Sequence, residues 1–101
     1  DPRYRAIPVG EFKPLTRHPV ITNAGFTFEK ARDYLARGDA DAVAFGIPYI
    51  ANPDLAQRFQ RQAAGESVPL NQPDFATFYT GRNGDPSVGY TDYRALPPSP
   101  R

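Results

Sequence analysis

The chain has no cysteine, no methionine and no tryptophan, and a single histidine, His18. Without cysteine there is no disulfide framework, no thiolate metal site and no cysteine nucleophile. The lack of cysteine fits a reducing compartment, and the expectation is a cytoplasmic protein. His18 has no spaced His or Cys companion, so no metal centre is expected. It reads as a surface or partly buried structural residue rather than a catalytic one. No apolar run approaches the about 20 residues of a membrane span, and the opening residues give no expectation of a signal peptide. An excess of one charge sign is missing too. The 12 Lys and Arg stand against 11 Asp and Glu, a formal net charge of +1. That balance offers no basic stripe for nucleic acid or anionic lipid, and neither partner is expected. Walker A, Gly-x-Gly-x-x-Gly and Gly-x-Ser-x-Gly patterns are likewise missing. The missing methionine extends to position 1, and two readings stay open: a processed initiator, or an Asp1 that is not a natural start.

What is abundant is proline, 12 residues in 101. Pro2, Pro8, Pro14 and Pro19 crowd the front, and Pro97, Pro98 and Pro100 the back. Proline fixes φ and removes a donor, so both ends are expected to be extended or irregular. Residues 1–18 read as an irregular lead-in. Pro19-Val20-Ile21-Thr22-Asn23 is a β-branched run closed by Ala24-Gly25, a buried strand with a tight turn. Thr27 can cap a helix through about Arg37, with Phe28, Ala31 and Leu35 on one stripe and Gly38 beyond its end. Ala40 to Phe45 is a second apolar run, again closed by glycine, Gly46. Its continuous apolar character suits a strand covered on both faces.

Strand, helix and strand in about thirty residues make a βαβ unit with parallel strands. Asn52-Pro53-Asp54 predicts a helix start, with Asn52 as cap and Pro53 at its first position. Leu55 and Phe59 form an apolar pair on that helix, and Gly65 ends it. From Val68 onward the chain is rich in Pro, Gly and Tyr without a lasting period, so a long ordered loop is expected. The resulting division is 1–18 lead-in, 19–66 β-α-β-α, and 67–101 loop and tail. Two parallel strands need neighbours on both edges. The expectation is therefore that this chain packs into a larger body.

Four segments, in order, resemble the C-terminal portion of the old yellow enzyme family of FMN-dependent ene-reductases. Val20-Ile21-Thr22-Asn23-Ala24-Gly25-Phe26 is similar to the family's seventh barrel strand with its Asn-Gly-Gly-aromatic turn. Asp41 through Leu55, read as Asp-Ala-Val-Ala-Phe-Gly-Ile-Pro-Tyr-Ile-Ala-Asn-Pro-Asp-Leu, resembles the eighth strand and the start of its helix. Pro69-Leu70-Asn71 followed by Thr77-Phe78-Tyr79 resembles the segment after that helix. Gly89-Tyr90-Thr91-Asp92-Tyr93 resembles the family's closing Gly-Tyr-Thr-Asp-Tyr-Pro. The fold class this implies is α/β, the β-α-β-α C-terminal part of a (β/α)₈ barrel completed by other chain segments. The alternative is completion by a partner, the remainder of the barrel as a second chain or a homo-oligomer.

The implied activity is reduction of a small activated alkene with NAD(P)H through FMN. In such barrels the loops after strands seven and eight commonly build a phosphate site. Ala24, Gly25, Gly46 and Ile47 are then the candidate phosphate cradle, with Phe78 near the flavin ring and Tyr79 on the substrate side. No catalytic residue is expected here, because the resemblance puts the family's proton donor and its carbonyl-binding and flavin-tuning groups on earlier strands.

Three departures stand out. Ile47 occupies the place of a family Arg whose charge-assisted bonds to phosphate are worth about 1.5–3 kcal/mol, one to two decades of affinity. Ala24 replaces a glycine, which reads as a mild change, and Arg94 replaces the closing proline. Arg17, Arg82 and Arg94 are candidates to replace the lost charge. A flavin-free structural or interaction piece derived from such a barrel is the alternative reading. Asp39 and Asp41, around Ala40, read as solvated loop charges rather than an acid/base pair. Gly81-Arg82-Asn83-Gly84-Asp85 reads as a flexible turn.

Overall fold

A computed structural model describes residues 6–98. Pro2 and Pro100, counted above in the proline-rich ends, lie outside the described residues. The chain forms two units, Asp1–Phe45 and Gly46–Arg101.

In the first unit the lead-in is more ordered than the prolines suggest. Helix α1 (Val9–Phe12) and a 3₁₀ turn (Lys13–Leu15) form a short double turn. Pro8, at the position before α1, uses its carbonyl to accept the N–H groups of Glu11 and Phe12. Proline is tolerated there because no intrahelical donor is required of it. The expectation of an irregular lead-in is corrected to that extent.

Strands β1 (Ile21–Thr22) and β2 (Ala42–Val43) pair in parallel, with Ile21 opposite Ala42 and Thr22 opposite Val43. Flanking bonds extend the ladder, from the Asp41 N–H to Val20 O and from the Ala44 N–H to Thr22 O. Both strands are far shorter than the apolar runs around them. The burial expected of the first run is not found among the described residues either: Ile21 is 68% exposed. Two strands have only one shared edge, so pairing persists only where it is reinforced. Asp41 supplies reinforcement by accepting the Val20 N–H at 2.8 Å and facing Lys13 Nζ at 3.5 Å. The bond from the Val20 N–H, helped by Lys13, holds the Asp41 carboxyl below its ordinary range against the opposing effect of desolvation. Asp39 pairs with Arg37. Both acids make local structural contacts instead of standing as the solvated loop charges expected from the sequence.

Helix α2 (Phe28–Arg37) forms as expected. Thr27 accepts the Lys30 N–H at 3.1 Å, a cap worth about 1 kcal/mol, and Gly38 ends the helix at φ 78°. Ala31 is buried on its inner stripe, while Phe26 meets Tyr34 edge-on at 4.9 Å.

The second unit opens directly on helix α3 (Ile47–Ala51). Helix α4 (Leu55–Ala63) starts later than expected. Asn52 does not cap it. Its side-chain N–H₂ donates back to Pro48 O, and its Oδ1 accepts the Asn71 N–H. With Asn52 Oδ1 committed to the following loop, α4 begins after Asp54, whose side chain makes no cap bond either. Beyond α4 the chain is the expected ordered loop, with a 3₁₀ turn at Phe75–Thr77. The Gly81–Asp85 stretch is a tight hairpin, because Arg82 and Asp85 exchange both backbone hydrogen bonds. Asn83 and Gly84 sit between them at φ 52° and 81°, the left-handed pair a two-residue hairpin demands.

Candidate functional site

The turns after the two strands belong to different units, and each is described by itself. After β1, Ala24 and Gly25 both take left-handed backbone, φ 74° and 73°. Ala24 is therefore not the mild replacement the sequence suggests. A side chain at that φ costs about 1 kcal/mol that glycine would not incur. Among the described residues, neither the Ala24 nor the Gly25 N–H has an acceptor.

After β2, Gly46 precedes α3 with φ −99°, a value open to any residue. A Cβ built on it meets no atom within 4 Å. Neither a left-handed φ nor packing among the described residues requires glycine there. The Gly46 and Ile47 N–H groups also lack acceptors among the described residues, and the Ile47 side chain is 42% exposed. These are backbone donors at small or accessible positions, the features a phosphate cradle needs. The charge is not supplied by Ile47, which has no donor in its side chain. Of the candidate substitutes, Arg82 is committed to Asp74 at 2.6 Å. Arg17 and Arg94 are exposed.

Phe78 and Tyr79 stand together on the wall of a cleft of about 340 Å³, completed by Ile50, Pro86 and Tyr90. Tyr79 is 99% exposed, so it does not fill a gap under the tail. Phe78 is half-buried and packs at 5.2 Å from Phe75. Two of these five, Phe78 and Tyr79, are candidates named from the sequence. The others are scattered along the chain and carry no periodic signal.

Arg58, which the sequence does not single out, is the largest fully buried side chain among the described residues. Arg58 is 2% exposed, and its guanidinium makes three bonds: to Asp54 Oδ1 (2.7 Å), Pro69 O (2.7 Å) and Arg94 O (2.8 Å). The second oxygen of Asp54 accepts the Leu96 N–H at 2.8 Å. Asn71 adds side-chain bonds to Ala51 O and Arg94 O. Helix α4 thus clamps the loop at Pro69 and the tail at Arg94–Leu96 together. The detectable signal was the Asp54/Arg58 spacing of four on one helix.

Burial raises the Asp54 carboxyl, but the bonds from Arg58 and the Leu96 N–H outweigh it, and its pKa lies below the ordinary value. A depressed folded-state pKa gives stability that is fully present above the unfolded pKa, about 3.9, and is lost as pH falls through the folded value. Acid titration is thus expected to release the tail only below about pH 4. Amide exchange at Leu96 reads this, and Asp54→Asn should show no such acid step.

Comparisons with known proteins bear on this arrangement. No family model matches the chain. It is 47% identical over 76 residues to 12-oxophytodienoate reductase 2 of Arabidopsis thaliana, covering 75% of this chain and 18% of the relative. Putative 12-oxophytodienoate reductase 10 of Oryza sativa subsp. japonica is 43% identical over 85 residues, 84% of this chain and 24% of the relative. The old yellow enzyme from Trypanosoma cruzi superposes with a TM-score of 0.78 at 34% identity, over 94% of this chain and 23% of that one. Morphinone reductase in complex with tetrahydroNAD gives a TM-score of 0.71 at 39% identity, over 88% and 22%.

The chain belongs to the old yellow enzyme family. It spans about a fifth of the length of these relatives, which are oxidoreductases on a TIM barrel. The brevity of β1 and β2 has a plain cause: among the described residues no further strand pairs with their other edges. The described helices include none long and apolar enough to cross a membrane.

Proposed function

We propose that this chain is the C-terminal part of an FMN-dependent ene-reductase barrel, with β1 and β2 as its seventh and eighth strands. Ala24, Gly25, Gly46 and Ile47 offer backbone N–H groups to the FMN phosphate. Phe78 packs near the flavin ring and Tyr79 lines the substrate side. When bound, FMN supplies the redox chemistry, accepting hydride from NAD(P)H and passing hydride to an activated alkene. The residues of this chain hold and shape; the proton-donating groups come from the rest of the barrel, on a second chain or a further copy. A cytoplasmic setting accompanies this reading.

The observation that carries it is Gly46. A glycine that neither its backbone nor its neighbours require is explained by something that must approach its Cα from outside this chain. Gly46→Ala tests that. Folding stability should change by less than about 1 kcal/mol, while retention of flavin falls. A large loss of stability would make Gly46 a folding residue and remove the support.

Ile47 favours a second reading, a flavin-free structural or interaction piece, because it puts an exposed apolar side chain where a phosphate wants charge. The absorbance spectrum and intact mass of the purified material separate the two. A flavin band with a larger co-purifying chain supports the enzyme reading. A colourless, folded protein of this mass alone supports the second.

A further inference from the structure

The aromatic wall is only partly packed. Phe78 is half-buried against Phe75, but Phe75 is 64% exposed and Tyr79 99% exposed, so burial alone does not fix the turn that carries them. What fixes it are hydrogen bonds to the tail. The Asp74 N–H, at the entry to the 3₁₀ turn, donates to Tyr93 Oη at 2.7 Å. Thr77, 1% exposed, donates from Oγ1 to Asp74 O (2.8 Å) and lies 3.2 Å from Gly89 O. Gly89 approaches Thr77 so closely, at φ 71°, that a Cβ there would collide with the threonine side chain. The residue after Tyr93 is the one whose carbonyl Arg58 and Asn71 hold. The phenol oxygen of Tyr93 is therefore a fixed point, anchored to α4 through Arg94 and holding the start of the turn that ends in Phe78 and Tyr79.

We infer that Tyr93 is a positioning residue for the Phe78–Tyr79 wall, setting through the Asp74 N–H where those two rings stand in the cleft. This rests on the reading of that cleft as the substrate side of the barrel. Tyr93 touches none of the cleft space itself. Its action passes through the backbone of the 3₁₀ turn, which makes it separable from the rings it places.

The test is Tyr93→Phe in the full chain, followed by NMR amide exchange and by the Tyr79 ring resonances. A half-buried Asp74 N–H that loses its acceptor is expected to free the turn. Exchange at Phe78 and Gly81 should rise about tenfold, with a shifted Tyr79 ring signal and unchanged protection across α4. Tyr90→Phe is the control. Tyr90 lines the same cleft, but among the described residues its hydroxyl holds no backbone group. Unchanged exchange and ring signals in Tyr93→Phe, or the same release in Tyr90→Phe, would overturn the assignment.

Titration with cyclohex-2-enone, followed on the Tyr79 ring, separates this from the substrate reading. If the enone binds, Tyr93→Phe should weaken it several-fold while leaving the thermal midpoint within the range of the Tyr90→Phe control. If the native chain does not respond to the enone but the turn is still freed, the positioning role stands and the substrate reading falls.

Discussion

Arg58→Ala is expected to cost about 3–5 kcal/mol, the largest stability loss of any single substitution outside the small apolar core. The size follows from what remains behind. Arg58 is fully buried and satisfies Asp54, Pro69 O and Arg94 O at once. Its removal leaves the Asp54 carboxylate without its cation and Pro69 O without a donor, while Arg94 O keeps only the Asn71 side chain. Among the described residues no buried side-chain polar atom lacks a partner, so the native unit carries no such penalty. Arg58→Lys should recover only part, because an ammonium is a single point and cannot span three acceptors held by a planar fork. Urea unfolding monitored by tyrosine fluorescence gives the loss, and limited proteolysis in the tail gives its location. Cleavage should rise at residues 94–98 before the body of the unit unfolds. A loss under about 1 kcal/mol would mean that the clamp is no stronger than a surface ion pair.

The clamp also explains which parts of the fold could be read in one dimension. The β-α-β order was legible because its signals are local: a Thr27 cap, a Gly38 stop and a glycine after each strand. Strand length was not, since pairing depends on neighbours a sequence window does not contain. Helix α4 was placed early because Asn52-Pro53-Asp54 carries good capping chemistry. The competing partner for Asn52 Oδ1 is the Asn71 N–H, far along the chain. Arg58 was passed over for a related reason. On its own helix it reads as half of an exposed ion pair, and only the tail folding over it makes it the largest fully buried side chain. At the candidate site, Gly25 and Gly46 announced themselves as small residues at strand ends. Ile50, Pro86 and Tyr90 did not, because a cleft built from separate loops has no period.

Ile47→Arg should raise FMN affinity by one to two decades, if the phosphate sits at the start of α3. A charge-assisted hydrogen bond contributes about 1.5–3 kcal/mol, and an arginine can offer two in parallel. The host position tolerates the change. Ile47 is 42% exposed and heads α3, so a longer side chain displaces nothing buried, and stability should move by no more than about 0.5 kcal/mol. Riboflavin, which lacks the phosphate, is the decisive comparison. A gain for FMN with none for riboflavin puts the new guanidinium on the phosphate, and that gain should shrink as salt is added. Ile47→Lys should gain less, because its ammonium cannot grip two phosphate oxygens in a fixed plane. Equal gains for both flavins would move the contact to the ring. No gain at all would mean that the turn after β2 does not face a phosphate, and the flavin-free reading would then account best for an isoleucine at this position.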